Sequence, residues 1–235
     1  MLNNLKKEVY EANMALPKYG LVLFTWGNVS GIDRAGGHIV IKPSGVDYDK
    51  LSPDDMVVTD LDGYVVEGSF KPSSDTPSHV ALYKNFPEIG GIAHTHSTYA
   101  TSCAQAGIAI EPFGTTHADY FNGKIPVTRH LSEDEIANDY EKHTGLCITE
   151  LFKKNKLNEN EIPGALVRNH GPFVWAKDAN TAAHNAAVLE EIAKMFILTK
   201  LANPEDKPVV MPGKLLKKHF YRKHGALATY GQKNG

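Results

Sequence analysis

The chain of 235 residues is 42% hydrophobic and 22% charged, enough apolar material for one domain, residues 1–235, to bury its own core without staples. A formal net charge of −2 and a pI near 6.6 give no electrostatic reason to expect a nucleic-acid or anionic-membrane partner. Two cysteines, Cys103 and Cys147, are too few for a disulfide framework and lack the paired spacing of a zinc ribbon, so both read as reduced, buried small side chains.

Met1 to Tyr10 mixes Asn, Lys and Glu with single leucines, which leaves no apolar stretch for a signal peptide or a membrane span and makes the cytoplasm the expected compartment. Leu2, Leu5, Val9 and Leu16 recur at near-helical spacing until Pro17, predicting an opening helix over 2–16. Strand-like runs follow at Leu21–Thr25 and His38–Lys42. Met56–Thr59 and Tyr64–Val66 then flank Asp62-Gly63, a hairpin turn signal.

Thr76-Pro77 reads as an N-cap followed by Pro at the first helical position, opening a helix through Phe86. Ile89–Ala93 is a short apolar strand that ends at His94 and His96. Ser132 with Glu135 forms a capping-box pattern ahead of a helix to about Phe152. Ala165–Val167 and Phe173–Trp175 read as strands around Asn169-His170-Gly171-Pro172. Asp178 or Asn180 caps a long Ala-rich helix to about Leu201, and Pro212 opens a last one through about Lys223. Strands and helices mixed in this way bury best as a sheet with helices on both faces.

Eleven histidines matter only where their spacing suits a chemistry. His94-Thr95-His96 at a strand end places two imidazoles on one face, since side chains two apart point the same way. With His170 in a later loop and Asp75 before a helix, they could form a catalytic zinc set of histidines and a carboxylate. The same residues also read as ordinary edge-strand histidines and a turn histidine bonded to backbone. A cupin is disfavoured, because Ser97–Gly107 contains no acid and looks helical. His38, His79, His130, His143 and His184 have no partner at ligand spacing and read as structural or solvated; His117 lies near Asp119.

Gly27-Asn28-Val29-Ser30, Lys42-Pro43-Ser44-Gly45 and Lys71-Pro72-Ser73-Ser74 offer the backbone N–H groups, hydroxyls and ammonium that a phosphate requires. Each alone reads equally as a turn. Ser73-Ser74 abutting Asp75 favours a phosphate end and a metal end on one small substrate.

With these segments placed, the chain resembles the sugar-phosphate epimerases of the class II aldolase/epimerase family along nearly its whole length. The resemblance is carried by Thr25–Ser30, Ile41–Asp47, Pro72–Thr76, His94–Ser97, Gly114–Phe121, His170–Phe173, Arg222–Gly225 and Tyr230-Gly231-Gln232. It implies a three-layer α/β/α sandwich with a central, mostly antiparallel sheet covered by helices, assembled as a cyclic homotetramer. It also implies one Zn2+ per subunit, or Mn2+ or Co2+, on Asp75, His94, His96 and His170. Asn28, Lys42, Ser44, Gly45, Ser73 and Ser74 would hold the phosphate. Asp119 and Tyr230 would be the acid/base pair, with Tyr230 reaching a neighbour's site, and Thr115, Glu141, His219 and Arg222 would be further active-site groups.

The implied reaction is 4-epimerisation of L-ribulose 5-phosphate to D-xylulose 5-phosphate, the substrate being a pentulose 5-phosphate. The C4 proton of a 2-ketopentose is β to the carbonyl and not acidic, so inversion there calls for breaking and remaking the C3–C4 bond, with one proton-transfer group on each face. A true aldolase of the L-fuculose-phosphate type resembles the chain less, since it carries a glutamate where Asp75 stands. A non-catalytic domain like the adducin head predicts missing ligands, whereas all four are present.

Overall fold

The computed structural model describes residues 2–202, 204–205, 208–225 and 228–229, so Tyr230 lies outside the described residues. Helix α1 (Leu2–Lys18) turns Val9, Ala12 and Leu16 inward, as the apolar spacing predicts, and carries Pro17 in its last turn. Buried Asn13 on this helix pairs with both backbone groups of Val29, accepting from its N–H at 2.8 Å and donating to its C=O at 2.9 Å. Those bonds fasten α1 to strand β1 (Asn28–Asp33).

The strand predicted at Leu21–Thr25 does not form; Leu21–Gly27 is irregular, and the strand begins only at Asn28. Phe24 at φ 52° and Gly27 at φ 73° take left-handed backbone that a strand does not accommodate. The real strand reads Asn-Val-Ser-Gly-Ile-Asp, and its alternation is hidden because polar side chains are buried on one face. Ser30 Oγ sits 2.6 Å from His79 Nδ1 and 2.9 Å from the Tyr83 hydroxyl, while on the other face Gly31 admits Leu5 and Val9 of α1.

Strands β2 (His38–Ile41), β3 (Val57–Asp60) and β4 (Val65–Glu67) follow as an antiparallel meander. The predicted Asp62-Gly63 turn closes the last hairpin: Gly63 has φ 88°, and Asp60 Oδ1 accepts from the N–H groups of Asp62 and Tyr64, both at 2.9 Å. After helix α2 (Thr76–Asn85) comes β5 (Gly91–His94), then α3 (Thr98–Ala106) and the single turn α4 (Thr115–Ala118). Helices α5 (Glu133–Ala137) and α6 (Tyr140–Asn155) precede β6 (Gly164–Leu166), β7 (Pro172–Ala176), α7 (Ala179–Ala202) and α8 (Gly213–His224).

Two boundaries differ from expectation. The Ser132–Glu135 capping box forms as predicted, but its helix stops at Ala137; Asp139 at φ 54° breaks the chain before α6 begins. Thr76 is the first residue of α2 rather than its N-cap. Asp75 takes the cap position and makes no side-chain cap bond, because its carboxylate is engaged elsewhere.

Among the described residues seven strands form one sheet in the order β4-β3-β2-β1-β5-β7-β6, every neighbouring pair antiparallel. Helices α1 and α7 pack together on one face, and α2 and α6 pair on the other. The expected α/β/α layering is thus present. Beneath α2 and α6 the rings of Phe86, Phe152 and Trp175 pack with centroids 5.1–5.3 Å apart. Both cysteines are free and buried.

Close backbone approach fixes where α7 crosses the sheet. A Cβ on Gly91 would lie 2.4 Å from the carbonyl carbon of Asp178, so nothing larger than glycine fits without displacing main chain. Gly91→Ala is expected to lower the unfolding free energy by about 1–3 kcal/mol or more. The urea midpoint measures this, and an unchanged midpoint would contradict the packing described.

Candidate metal centre and substrate cleft

Strand β5 ends in His94, and the chain beyond it carries His96 to the same side, as the period-two spacing predicts. His170 arrives from the β6–β7 loop, where Asn169 at φ 61° makes the turn. The ligand atoms of His94, His96 and His170 lie within 4.8 Å of one another. His94 Nδ1 donates to the Pro172 carbonyl at 2.9 Å, which puts its proton there and leaves Nε2 bare toward the cluster, 3.1 Å from His96 Nε2. Phe173 stacks flat on the His94 ring at 4.1 Å, and Tyr140 Oη is 3.3 Å from His170 Nδ1.

Burial, and then the neighbouring His94 ring, push the pKa of His170 down to about 3 and that of His96 below its ordinary value. These two rings are therefore neutral near pH 7, the state in which imidazole binds a cation. Three converging imidazoles, two of them neutral and the third with a ring proton placed on Nδ1 by a backbone carbonyl, suit a divalent ion of the zinc type. Asp75 stands outside that group of ligand atoms. Its Oδ2 accepts from Asn28 Nδ2 at 2.7 Å, and although burial raises its pKa, electrostatic coupling to His94, His79 and His170 and the Asn28 bond bring it below the usual carboxylate value.

The three predicted loops come together beside the histidines around a cleft of about 800 Å³ that also exposes Glu141. The loops are zipped to each other: Ser44 N–H donates to the Lys71 carbonyl at 2.9 Å, Ser73 N–H to the Lys42 carbonyl at 3.0 Å, and Pro43 bridges Pro72. Ser44, Gly45 and Ser74 are exposed, while Ser73 Oγ accepts from Asn28 Nδ2 at 3.1 Å. Lys42 is buried, its ammonium donating to the Val46 and Pro43 carbonyls at 2.8 and 3.3 Å over the Tyr48 ring. Burial lowers its pKa to about 8.

A second cluster gathers elsewhere. Asp119, just after α4, is 2.9 Å from His219 Nδ1 and 3.0 Å from Arg222, with Lys223 at 3.5 Å, all from α8. Burial raises its pKa, but the His219 and Arg222 hydrogen bonds and the Lys223 charge outweigh that and hold the carboxyl below its usual range. Thr115 opens α4 one turn earlier. None of Asp119, Thr115, His219 or Arg222 lines the histidine cleft of the same chain. The predicted residues thus fall into two groups, a metal-and-loop group and an α4–α8 group.

Residues that sequence reasoning did not single out also line the cleft, among them Trp26, Tyr140 and Gln105. Trp26 lies within a stretch that carried the resemblance. Tyr140 and Gln105 stand on helices with no motif around them, so only the folded chain reveals them. His79, read as structural, is not one of the three clustered imidazoles, and burial pushes its pKa down to about 3.

Among known proteins, the L-ribulose-5-phosphate 4-epimerase UlaF of Salmonella paratyphi C is 55% identical over 232 residues, covering 99% of this chain and all of the relative. UlaF of Salmonella typhi matches to the same extent. An L-fuculose 1-phosphate aldolase structure superposes with a TM-score of 0.76 at 26% identity, covering 92% of this chain and 95% of its own. The l-fuculose-1-phosphate aldolase of Thermus thermophilus, at 22% identity and TM-score 0.68, covers 88% of this chain and 100% of its own and shares the fold. Residues 7–197 match the family described as class II aldolase and adducin N-terminal domain. Since that span holds all seven strands, the cleft and the histidine cluster, the chain belongs to the class II aldolase and adducin N-terminal domain family.

Proposed function

We propose that this chain, acting as one domain over residues 1–235, epimerises L-ribulose 5-phosphate to D-xylulose 5-phosphate. The observation that carries the reading is the 55% identity to UlaF proteins over 99% of the chain, with the three imidazoles gathered beside the Ser- and Gly-containing loops. The aldolase alternative is not favoured, because the aldolase structure stands at 26% identity. Metal-loaded protein incubated with L-ribulose 5-phosphate should yield D-xylulose 5-phosphate and little free glycolaldehyde phosphate. Accumulation of the free aldehyde would indicate an aldolase instead.

In this reading His94, His96 and His170 hold one divalent ion per subunit, Zn2+ foremost and Mn2+ or Co2+ as alternatives, with Asp75 beside them. The ion supplies Lewis-acid stabilisation to the negative charge that builds on the ketone end during cleavage. Asn28, Ser44, Gly45, Ser73 and Ser74 bind the phosphate. Lys42 supplies the cation and, through Pro43 and Val46, the shape of the loop. A base takes the C4 hydroxyl proton; the C3–C4 bond breaks to give a dihydroxyacetone enediolate and glycolaldehyde phosphate. The aldehyde turns, the bond re-forms on its other face, and the new alkoxide receives a proton from the group there.

Asp119 and Tyr230 fill those two roles, with Thr115, Glu141, His219 and Arg222 around the substrate. Because Asp119, Thr115, His219 and Arg222 lie away from the chain's own cleft, they serve the cleft of a neighbouring subunit in a cyclic homotetramer. The protein works in the cytoplasm; no helix among the described residues is long and apolar enough to cross a membrane.

Charge-assisted bonds to phosphate contribute about 1.5–3 kcal/mol each, so Lys42→Met is expected to raise KM by roughly ten- to a hundredfold while metal content stays normal. The pKa lowered to about 8 adds a pH signature: the ammonium is present below that pH and lost above it. KM should therefore climb above about pH 8 in the wild type and show no such climb in the variant. Equal turnover of L-ribulose without its phosphate would sink the phosphate assignment.

A further inference from the structure

Helix α2 and strand β1 meet through a ladder of buried polar pairs. Two strand residues span about 6.6 Å and four helical residues about 6.0 Å, so the two periods stay in step. Asn28 therefore meets Asp75 while Ser30 meets His79, and Tyr83, one turn further along α2, reaches Ser30 as well. All of these except Asp75 are buried, and His79 is completely so.

Two atoms on this ladder have no hydrogen-bond partner among the described residues: His79 Nε2 and Asn28 Oδ1. A buried donor or acceptor left unsatisfied is costly, and its presence at a functional site calls for an explanation. The proton count supplies one. The Ile92 backbone N–H donates to the Tyr83 oxygen, leaving the Tyr83 proton for Ser30 and the Ser30 proton for His79 Nδ1. That direction puts the His79 proton on Nε2. The reverse direction would aim a bare Nε2 lone pair at the neighbourhood of an ionised carboxylate, which is repulsive.

We infer that His79 is a positioning residue of this site: its Nε2–H, oriented by the Tyr83–Ser30 chain and bonded to no described atom, is the donor on which the Asn28–Asp75 pair closes when the imidazole cluster takes up an ion. The backbone supports the placement, since His79 N–H donates to the Asp75 carbonyl at 3.1 Å, which sets the two side chains on one helix face. The His79 ring also lies 5.9 Å from Phe173, the ring that stacks on His94, so it underlies both the carboxylate and an imidazole. Such a role deepens the metal reading of the cleft and rests on it.

Asparagine at 79 can replace only Nδ1 and serve Ser30, whereas glutamine presents an amide donor where Nε2 stood. Competition with a chelator for Zn2+ should show His79→Asn binding the ion roughly 10–100-fold more weakly than wild type, with His79→Gln recovering most of the loss. The thermal midpoints of the two metal-free variants should be alike. Long-range proton–nitrogen spectra of the metal-free wild type should show His79 protonated at Nε2. Ser30→Ala, which keeps both His79 and Asp75, should release that tautomer preference and weaken the ion several-fold even if neither His79 variant folds. Protonation at Nδ1, wild-type affinity in His79→Asn, glutamine no better than asparagine, or an unchanged tautomer and affinity in Ser30→Ala would each overturn the inference. A wild type that takes up no ion would remove the metal reading and this inference together, whereas normal uptake with an indifferent His79→Asn removes the inference alone.

Discussion

Replacing His96 by asparagine is expected to leave a folded protein that has lost most of its divalent-ion affinity and retains less than about 1% of turnover. Losing an outer hydrogen-bond partner of a metal ligand already costs 10–100-fold in affinity, so losing a ligand should cost more. The fold should survive because His96 lies beyond the last residue of β5, on the exposed side of the cluster, and contributes nothing to the core. The comparison is sharpest at neutral pH. There the lowered pKa of His170 leaves its ring deprotonated, so any remaining affinity reflects the two surviving imidazoles and not competition with protons. Elemental analysis after dialysis, a melt of the metal-free variant and the epimerase assay together decide the matter. Full activity after chelation would place the chemistry elsewhere.

The second large effect follows from the separation of the two residue groups. Asp119 is held between His219, Arg222 and Lys223 and does not line its own chain's cleft, although the proposed reaction needs a proton-transfer group there. Asp119→Asn and His96→Asn should each be nearly inactive alone. Unfolded together in equal amounts and refolded into a cyclic assembly, they should recover about a quarter of wild-type activity. That is the fraction of sites pairing an intact histidine cluster with an intact neighbouring Asp119 under random mixing. Tyr230→Phe mixed with His96→Asn should behave in the same way. Hybrid oligomers verified by mass yet as inactive as their parents would return Asp119 to its own chain's cleft or remove it from the reaction.

How much of this was legible in the sequence depended on how local the governing physics is. The His94-Thr95-His96 pair was readable because strand geometry alone puts residues two apart on one side. The Asp62-Gly63 hairpin and the Ser132–Glu135 capping box were readable because each is closed by bonds within a few residues. Strand β1 was not. Its Asn28 and Ser30 are buried polar groups whose partners, Asp75, His79 and Tyr83, lie 47 to 53 positions away, so no local alternation marks the strand. The break before α6 escaped for a similar reason: Asp139 adopts a left-handed conformation that its own sequence does not announce.

By itself the sequence determined the layered α/β class, the histidine pair, the three Ser- and Gly-containing loops and, by resemblance, the family. Only the tertiary structure decided which of the remaining groups share a cleft. It zipped the Lys42 and Lys71 loops together beside the imidazoles and turned the Lys42 ammonium onto its own loop carbonyls. It gave the Asp75 carboxylate to Asn28 rather than to its helix, and it docked α8 onto Asp119 away from the histidines. The reason is physical: a side chain's hydrogen-bonding capacity is fixed by its chemistry, but which partner consumes it is fixed by contacts between residues far apart in the chain.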